Sequence, residues 1–181
     1  VTSSLLSWYS GARRQLPWRD TARYSAADLP YAVWVSEIML QQTRVQAVLA
    51  YFERWMARWP NVSALAAATE EEVNEMWSGL GYYRRARFLL EGARAVVREH
   101  EGVIPGTVEG LKSIPGIGDY TAGAIASIAF RVNTPLVDGN VIRVLSRLRA
   151  LDGDPKAASS VRTHWRLAGE PGGAAGPTPG G

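Results

Sequence analysis

Two acidic side chains stand where a carboxyl group could do chemistry. Glu37 lies inside the run 31–44, which is apolar almost all round and so reads as a buried helix. Its neighbours three and four residues away are Val33, Trp34, Leu40 and Gln41. A carboxyl group there is costly unless it is protonated or paired. Desolvated, it would hold its proton to a higher pH than usual and could donate it near neutrality. Paired with an arginine, or capping a neighbouring helix, it would be structural. Asp138 precedes Val141, Val144, Leu145, Leu148 and Leu151, a helical stripe, and so takes an N-cap-like position. Most such aspartates are caps and nothing more. The amides and dipole of a helix start also favour a negative charge there. One carboxyl that keeps its proton and one that stays charged is the division of labour that acid–base chemistry requires.

Two glycine turns could hold a ligand beside those groups. In the segment 111–125, a short apolar helix is expected to end at Pro115, and a second to start near Asp119 or Tyr120. Gly116 and Gly118 bracket Ile117, which would pin the turn to the core. Glycine at both positions permits positive φ and leaves the backbone amides uncovered. With the positive end of the next helix, those amides form an anion site; the alternative is an ordinary corner between helices. The second turn, Gly79-Leu80-Gly81-Tyr82-Tyr83-Arg84-Arg85, gathers two aromatics and, with Arg87, three arginines. That set suits stacking on bases and holding phosphate. It is equally a helix start with tyrosine in the core and arginine in solvent.

The elements that must position these residues are helical throughout. Leu5, Leu6, Trp8 and Tyr9 suggest a first helix that fades by Leu16-Pro17-Trp18-Arg19; residues 20–30 read as a linker or surface loop. An amphipathic helix follows over 45–58. Thr69 and Glu72 make a capping box ahead of Val73, Met76, Trp77 and Leu80. The next helix runs to about Glu101 with Phe88, Leu89, Val96 and Val97 inward, and Thr107 caps a short helix before the glycine hairpin. From Gly169 onward the chain is almost entirely Gly, Pro, Ala and Thr, a composition that cannot build a core and reads as disordered.

At 181 residues and 46% hydrophobic, the chain can bury one good core or two small ones. The net charge is +3 and the pI near 9.4, with 18 Arg against 2 Lys, which is compatible with a nucleic-acid partner. The absence of cysteine excludes disulfides and thiolate metal sites. His100 and His164 lie far apart in sequence, so no metal site is expected. No apolar run reaches the roughly 18 residues of a membrane span, and no signal peptide is visible. The first residue is Val, so the chain reads as a piece of a longer one.

Taken together, residues 2–168 resemble the adenine DNA glycosylases of the MutY family, in a form similar to the animal enzymes. The carriers are Leu16-Pro17-Trp18-Arg19, Val33-Trp34-Val35-Ser36-Glu37, Met39-Leu40-Gln41-Gln42-Thr43, Gly79 to Arg84, the glycine hairpin, and Val137-Asp138-Gly139-Asn140-Val141. The resemblance implies an all-α, helix-hairpin-helix glycosylase fold. Residues 1–24 would form an N-terminal helix of a second helical domain, and 25–131 a six-helix barrel with the hairpin at 111–125. Residues 132–168 would return to the second domain, left incomplete, with a Gly/Pro-rich tail at 169–181.

The resemblance also implies base excision: adenine mispaired with 8-oxoguanine or guanine is flipped out of duplex DNA and its glycosidic bond hydrolysed. Glu37 then matches the acid that protonates the adenine ring, and Asp138 the carboxylate that stabilises the cationic sugar. Tyr120 and Asn140 match residues that position this machinery. Gln42 and Tyr82 match the wedge beside the orphaned base. Leu40, Thr43, Leu80 and Gly81 match the same recognition surface, with Gly116 and Gly118 on a phosphate. Endonuclease III-type enzymes carry a nucleophilic lysine where this chain has Tyr120, and a tyrosine forms no Schiff base. Base removal with little strand cleavage is therefore expected.

Family members usually continue past residue 168 into further helix and four cysteines that hold a 4Fe-4S cluster. This chain holds no cofactor on that reading, and a truncation or splice variant is expected. Its unmatched apolar faces should then be partly exposed, leaving a catalytically impaired, DNA-binding fragment as the alternative. The implied partner is duplex DNA bearing an 8-oxoguanine:adenine pair, bound by a monomer with no membrane association. The implied compartment is the nucleus or the mitochondrion.

Overall fold

The computed structural model describes residues 2–20 and 22–170, and among these every regular element is helical. Of the tail expected to be disordered from Gly169 onward, residues 171–181 lie outside the described residues, while Gly169 ends a helix and Glu170 pairs with Arg149. The chain divides into two compact units, Leu16–Thr134 and Val1–Gln15 with Pro135–Gly181.

The larger unit is built on α2, Leu29–Leu40. Pro30 sits in its first turn, where a missing N–H costs nothing. Nine of its twelve residues are buried, which makes it the axis of the core. The helix starts two residues before the expected 31 and stops at Leu40 rather than at Arg44. Gln42 turns to φ +55°, and the chain leaves the helix there. Around α2 lie α3 (Val45–Arg58), α4 (Val62–Ala66), α5 (Glu70–Trp77), α6 (Arg84–His100), α7 (Val108–Lys112) and α8 (Asp119–Phe130). The most extensive pairings are α2 on α8 and α4 on α6.

Aromatic packing locks one end of this unit. Trp55 meets Trp59 and Trp77 edge-on, with centroids 4.8 and 5.4 Å apart, and its Nε1 donates to the Tyr31 hydroxyl at 3.0 Å. Leu16 and Trp18 also belong to this core, Trp18 meeting Phe52 edge-on. The capping box forms as the spacing implies: Thr69 Oγ1 accepts from the Glu72 amide, and Glu72 accepts from the Thr69 amide. Thr107 Oγ1 accepts from the Gly110 amide and starts α7. Gly92 lets α6 approach closely, since a Cβ there would lie 2.7 Å from the Trp34 ring. The inward face of α6 differs from expectation at its edges. Leu89 and Val96 are buried and Phe88 is half-buried, but Val97 is exposed. Val97 shares a face with the buried Leu90 and Ala93 but lies in the last turn of α6, beyond the covered part of that face.

The smaller unit contains α1 (Thr2–Ala12), α9 (Gly139–Arg149) and α10 (Ala158–Gly169). On α1, Leu5, Leu6, Trp8 and Tyr9 are all exposed. The apolar stripe of α9 is split: Val141 and Leu145 are half-buried, while Val144 and Leu148 are exposed. α9 packs on α10 around one fully enclosed side chain, His164. Its Nδ1 lies 2.6 Å from the Ser160 carbonyl oxygen, which can only accept. Nε2 lies 2.9 Å from the Ser146 hydroxyl, within hydrogen-bond reach.

Candidate active site and nucleic-acid interface

In the larger unit, Glu37 begins the last turn of α2, half-buried between the buried Ser36 and Ile38. The full enclosure implied by an all-apolar helix is not reached. Ser36 turns its hydroxyl back onto the Val33 carbonyl at 2.8 Å, so it adds no polarity to the surface. Tyr120 is half-buried in the first turn of α8, the helix that packs most extensively on α2. One helix pair therefore carries both residues.

The hairpin between α7 and α8 differs in detail from the sequence expectation. The first helix ends at Lys112, not Pro115, and residues 113–118 form the turn. Only Gly116 has positive φ, at +83°, and a Cβ there would come within 2.6 Å of Phe88 Cβ. Gly118 has extended backbone, caps α8 without any side-chain bond, and faces open space. Ile117 is buried and anchors the turn, as its position implies. Gly118 thus offers the start of α8 no side-chain cap, the arrangement that receives anions. Lys112 Nζ meets Asp119 Oδ1 at 2.5 Å across the two helices.

The stretches around Gln42 and Tyr82 are brought together. Gln41, Gln42, Tyr82, Tyr83, Arg84, Arg85 and Phe88 line one open hollow of about 440 Å³. Gln42 and Tyr82 are both exposed, and both hold positive φ, +55° and +50°. Leu40 and Thr43 flank them, half-buried. Gly81, at φ +77°, is half-buried, and the Leu80 side chain belongs to the core. The grouping of three arginines as phosphate holders does not survive. Arg84 and Arg87 are exposed, Arg87 pairing with Glu91 at 3.3 Å, but Arg85 is buried and bonded to protein oxygens. Tyr82 and Tyr83 are exposed as well, so the pattern of tyrosine inside and arginine outside fails at both tyrosines and at Arg85.

In the smaller unit, Asp138 caps α9. Its Oδ1 accepts from the Asn140 and Val141 amides at 2.9 and 2.7 Å, and its Oδ2 accepts from Asn140 Nδ2 at 3.0 Å. Asn140 Oδ1 in turn accepts from Arg143 at 3.2 Å. The carboxylate is therefore fixed in direction by three donors. A hollow of about 600 Å³ opens beside α9 and α10, lined by Arg143, Arg147, Ser159 and His164 among others.

Residues 35–169 match the family described as HhH-GPD superfamily base excision DNA repair protein. The chain belongs to this superfamily. Among its relatives, the adenine DNA glycosylase of Mus musculus is 55% identical over 169 residues, 92% of this chain and 33% of that protein. The adenine DNA glycosylase of Arabidopsis thaliana is 50% identical over 190 residues, 94% of this chain and 30% of that protein. This chain thus spans about a third of the length of the curated relatives it matches. The solved structure of a thermostable thymine-DNA glycosylase matches with a TM-score of 0.78 and 26% identity, over 94% of this chain and 77% of that one. The all-α, helix-hairpin-helix fold of the superfamily is the fold found here.

An iron–sulfur cluster does not fit the residues present in this superfamily member. Such clusters are held by thiolates, and the sequence has no cysteine. Among the described residues, no group of three or more His, Cys, Asp or Glu could hold a metal ion.

Sequence reasoning grouped Arg85 with the phosphate-holding arginines and missed its burial. The signal was present in its spacing, because Arg85, Leu89, Gly92 and Val96 share one face of α6 and the others are all buried.

Proposed function

We propose that this chain is the helical catalytic portion of an adenine DNA glycosylase, acting on duplex DNA in which adenine faces 8-oxoguanine or guanine. The observation that carries the reading is the 50–55% identity to adenine DNA glycosylases over more than nine-tenths of the chain. The exposed Gln42 and Tyr82 around one hollow, and an uncapped hairpin helix, add physical support.

On this reading the duplex is gripped through the amides at Gly116 and Gly118, and the adenine is extruded at an unstacking cost of a few kcal/mol. Gln42 and Tyr82 fill the gap it leaves, with Leu40, Thr43 and Gly81 shaping the surface around them and Leu80 anchoring that turn in the core. Glu37 passes a proton to the adenine ring, so the base departs as a neutral leaving group. The sugar becomes cationic as the bond breaks, and the Asp138 carboxylate stabilises that charge. Asn140 holds Asp138 in direction, and Tyr120 positions the reacting nucleotide. Water then completes hydrolysis. An endonuclease III-type lyase reaction is disfavoured, because Tyr120 offers no amine.

A second reading, DNA binding with impaired catalysis, is favoured by the exposed apolar faces of α1 and α9 in the unit that carries Asp138. One assay separates the two. The chain is mixed in excess with a duplex bearing a single 8-oxoguanine:adenine pair, and free adenine is measured with and without borohydride. The proposal expects adenine release and no trapped protein–DNA adduct. Binding without release supports the second reading, and a trapped adduct contradicts both.

A further inference from the structure

We infer that Arg85 is the positioning residue that couples the two wedge stretches, setting the spacing of Gln42 and Tyr82. The inference rests on the base-flipping reading above. Arg85 leaves the first turn of α6 and is only 7% exposed. Its Nη1 donates toward the carbonyl oxygens of Ile38, Met39 and Gln41 at 3.1, 2.9 and 2.5 Å. Its Nη2 donates toward Thr43 Oγ1, Leu80 O and Gly81 O at 3.2, 3.3 and 3.0 Å. The first set closes the C-terminal end of α2, whose last carbonyls have no partner within the helix. The second set reaches Thr43 beyond that end and the glycine turn that carries Tyr82. The guanidinium also lies over the Trp77 and Tyr82 rings, 5.3 and 5.4 Å from their centroids.

No carboxylate is among those bonds. The two terminal nitrogens are met by oxygen dipoles and the guanidinium by ring faces, while Nε is buried without a partner, so the side chain acts as a tie between two backbones rather than as half of an ion pair. Both tied stretches hold a non-glycine residue at positive φ, a conformation that persists only when its surroundings enforce it. A planar fork of five donors can reach both stretches at once; a lysine ammonium, with its donors on one atom, cannot.

The test compares the full chain with Arg85→Met and Arg85→Lys. Amide hydrogen exchange is followed over 38–43, 79–83 and, as a reference, α8. The Met variant is expected to speed exchange about tenfold in both wedge stretches and to leave α8 unchanged, with Lys in between. A 2-aminopurine next to the target adenine reports unstacking. That signal and the rate of adenine release should fall about tenfold or more, as expected for misplaced groups. Affinity for undamaged duplex should stay within about twofold, because phosphate contacts dominate it. Exchange within about twofold of the parent in either stretch, or an undiminished unstacking signal, overturns the inference. If the Met variant loses its helical circular dichroism, the Lys variant decides by the same measures. A parent chain that unstacks nothing contradicts the base-flipping reading instead, and the exchange result still decides whether Arg85 couples the two stretches.

Discussion

Asp138 has two roles that a pair of substitutions can separate. As a cap it gives α9 two bonds to backbone amides. Asp138→Ala removes both and should cost the smaller unit about 1 kcal/mol, read from denaturant unfolding. Asp138→Asn keeps a side-chain oxygen for the same amides, and asparagine caps about as well as aspartate. It should therefore leave stability nearly unchanged while suppressing base release. Equal stability loss in both variants, or retained release in Asn, would contradict the electrostatic role. The cap itself was legible, because an aspartate ahead of an apolar helical stripe has few other uses. Arg85 was harder to read. Charge argued for solvent while spacing argued for the core, and spacing won because six oxygens converge on the guanidinium.

At the scale of elements, the hairpin divides its two glycines between folding and binding. Gly116 needs its positive φ and sits against Phe88, so Gly116→Ala should destabilise the larger unit by about 1–3 kcal/mol. Gly118 has ordinary backbone and open space where its Cβ would be. Gly118→Ala should leave the melting temperature unchanged and weaken duplex binding, since the added methyl enters the space a phosphate would take. Duplex titrations at two salt concentrations check this; unaltered affinity would remove the hairpin from the interface. Sequence could locate the turn but not assign the strain, because either glycine permits positive φ and only the folded backbone shows that Gly116 uses it. Helix ends were similarly uncertain. The apolar run of α2 continues to Leu40 without a breaker, and it ends where Gln41 turns to ψ 116°, its carbonyl held by a side chain 44 residues away.

At the scale of the whole molecule, the two units differ sharply in what they bury. The larger unit encloses five tryptophans, Trp18, Trp34, Trp55, Trp59 and Trp77, almost completely. Among the described residues of α9 and α10, only His164 is buried. Hydrophobic stabilisation scales with apolar area removed from water, at about 25 cal/mol per Å². The smaller unit should therefore unfold first. Calorimetry or tryptophan fluorescence is expected to show two transitions, the lower one sparing the buried tryptophans; a single coincident transition would contradict this. The helical class and the core of the larger unit were readable from periodicity and capping. The uneven burial of α9 was not, because an apolar stripe records what a helix is suited to bury and not what covers it.

The account turns on Glu37 as the proton donor. The most direct measurement is the single-turnover rate of adenine release from an 8-oxoguanine:adenine duplex by the parent chain and by Glu37→Gln, with duplex affinity measured alongside. General acid catalysis contributes about 10²–10⁴-fold, so the variant should bind as tightly and release adenine at least about a hundredfold more slowly. Equal rates at equal affinity would contradict the assignment.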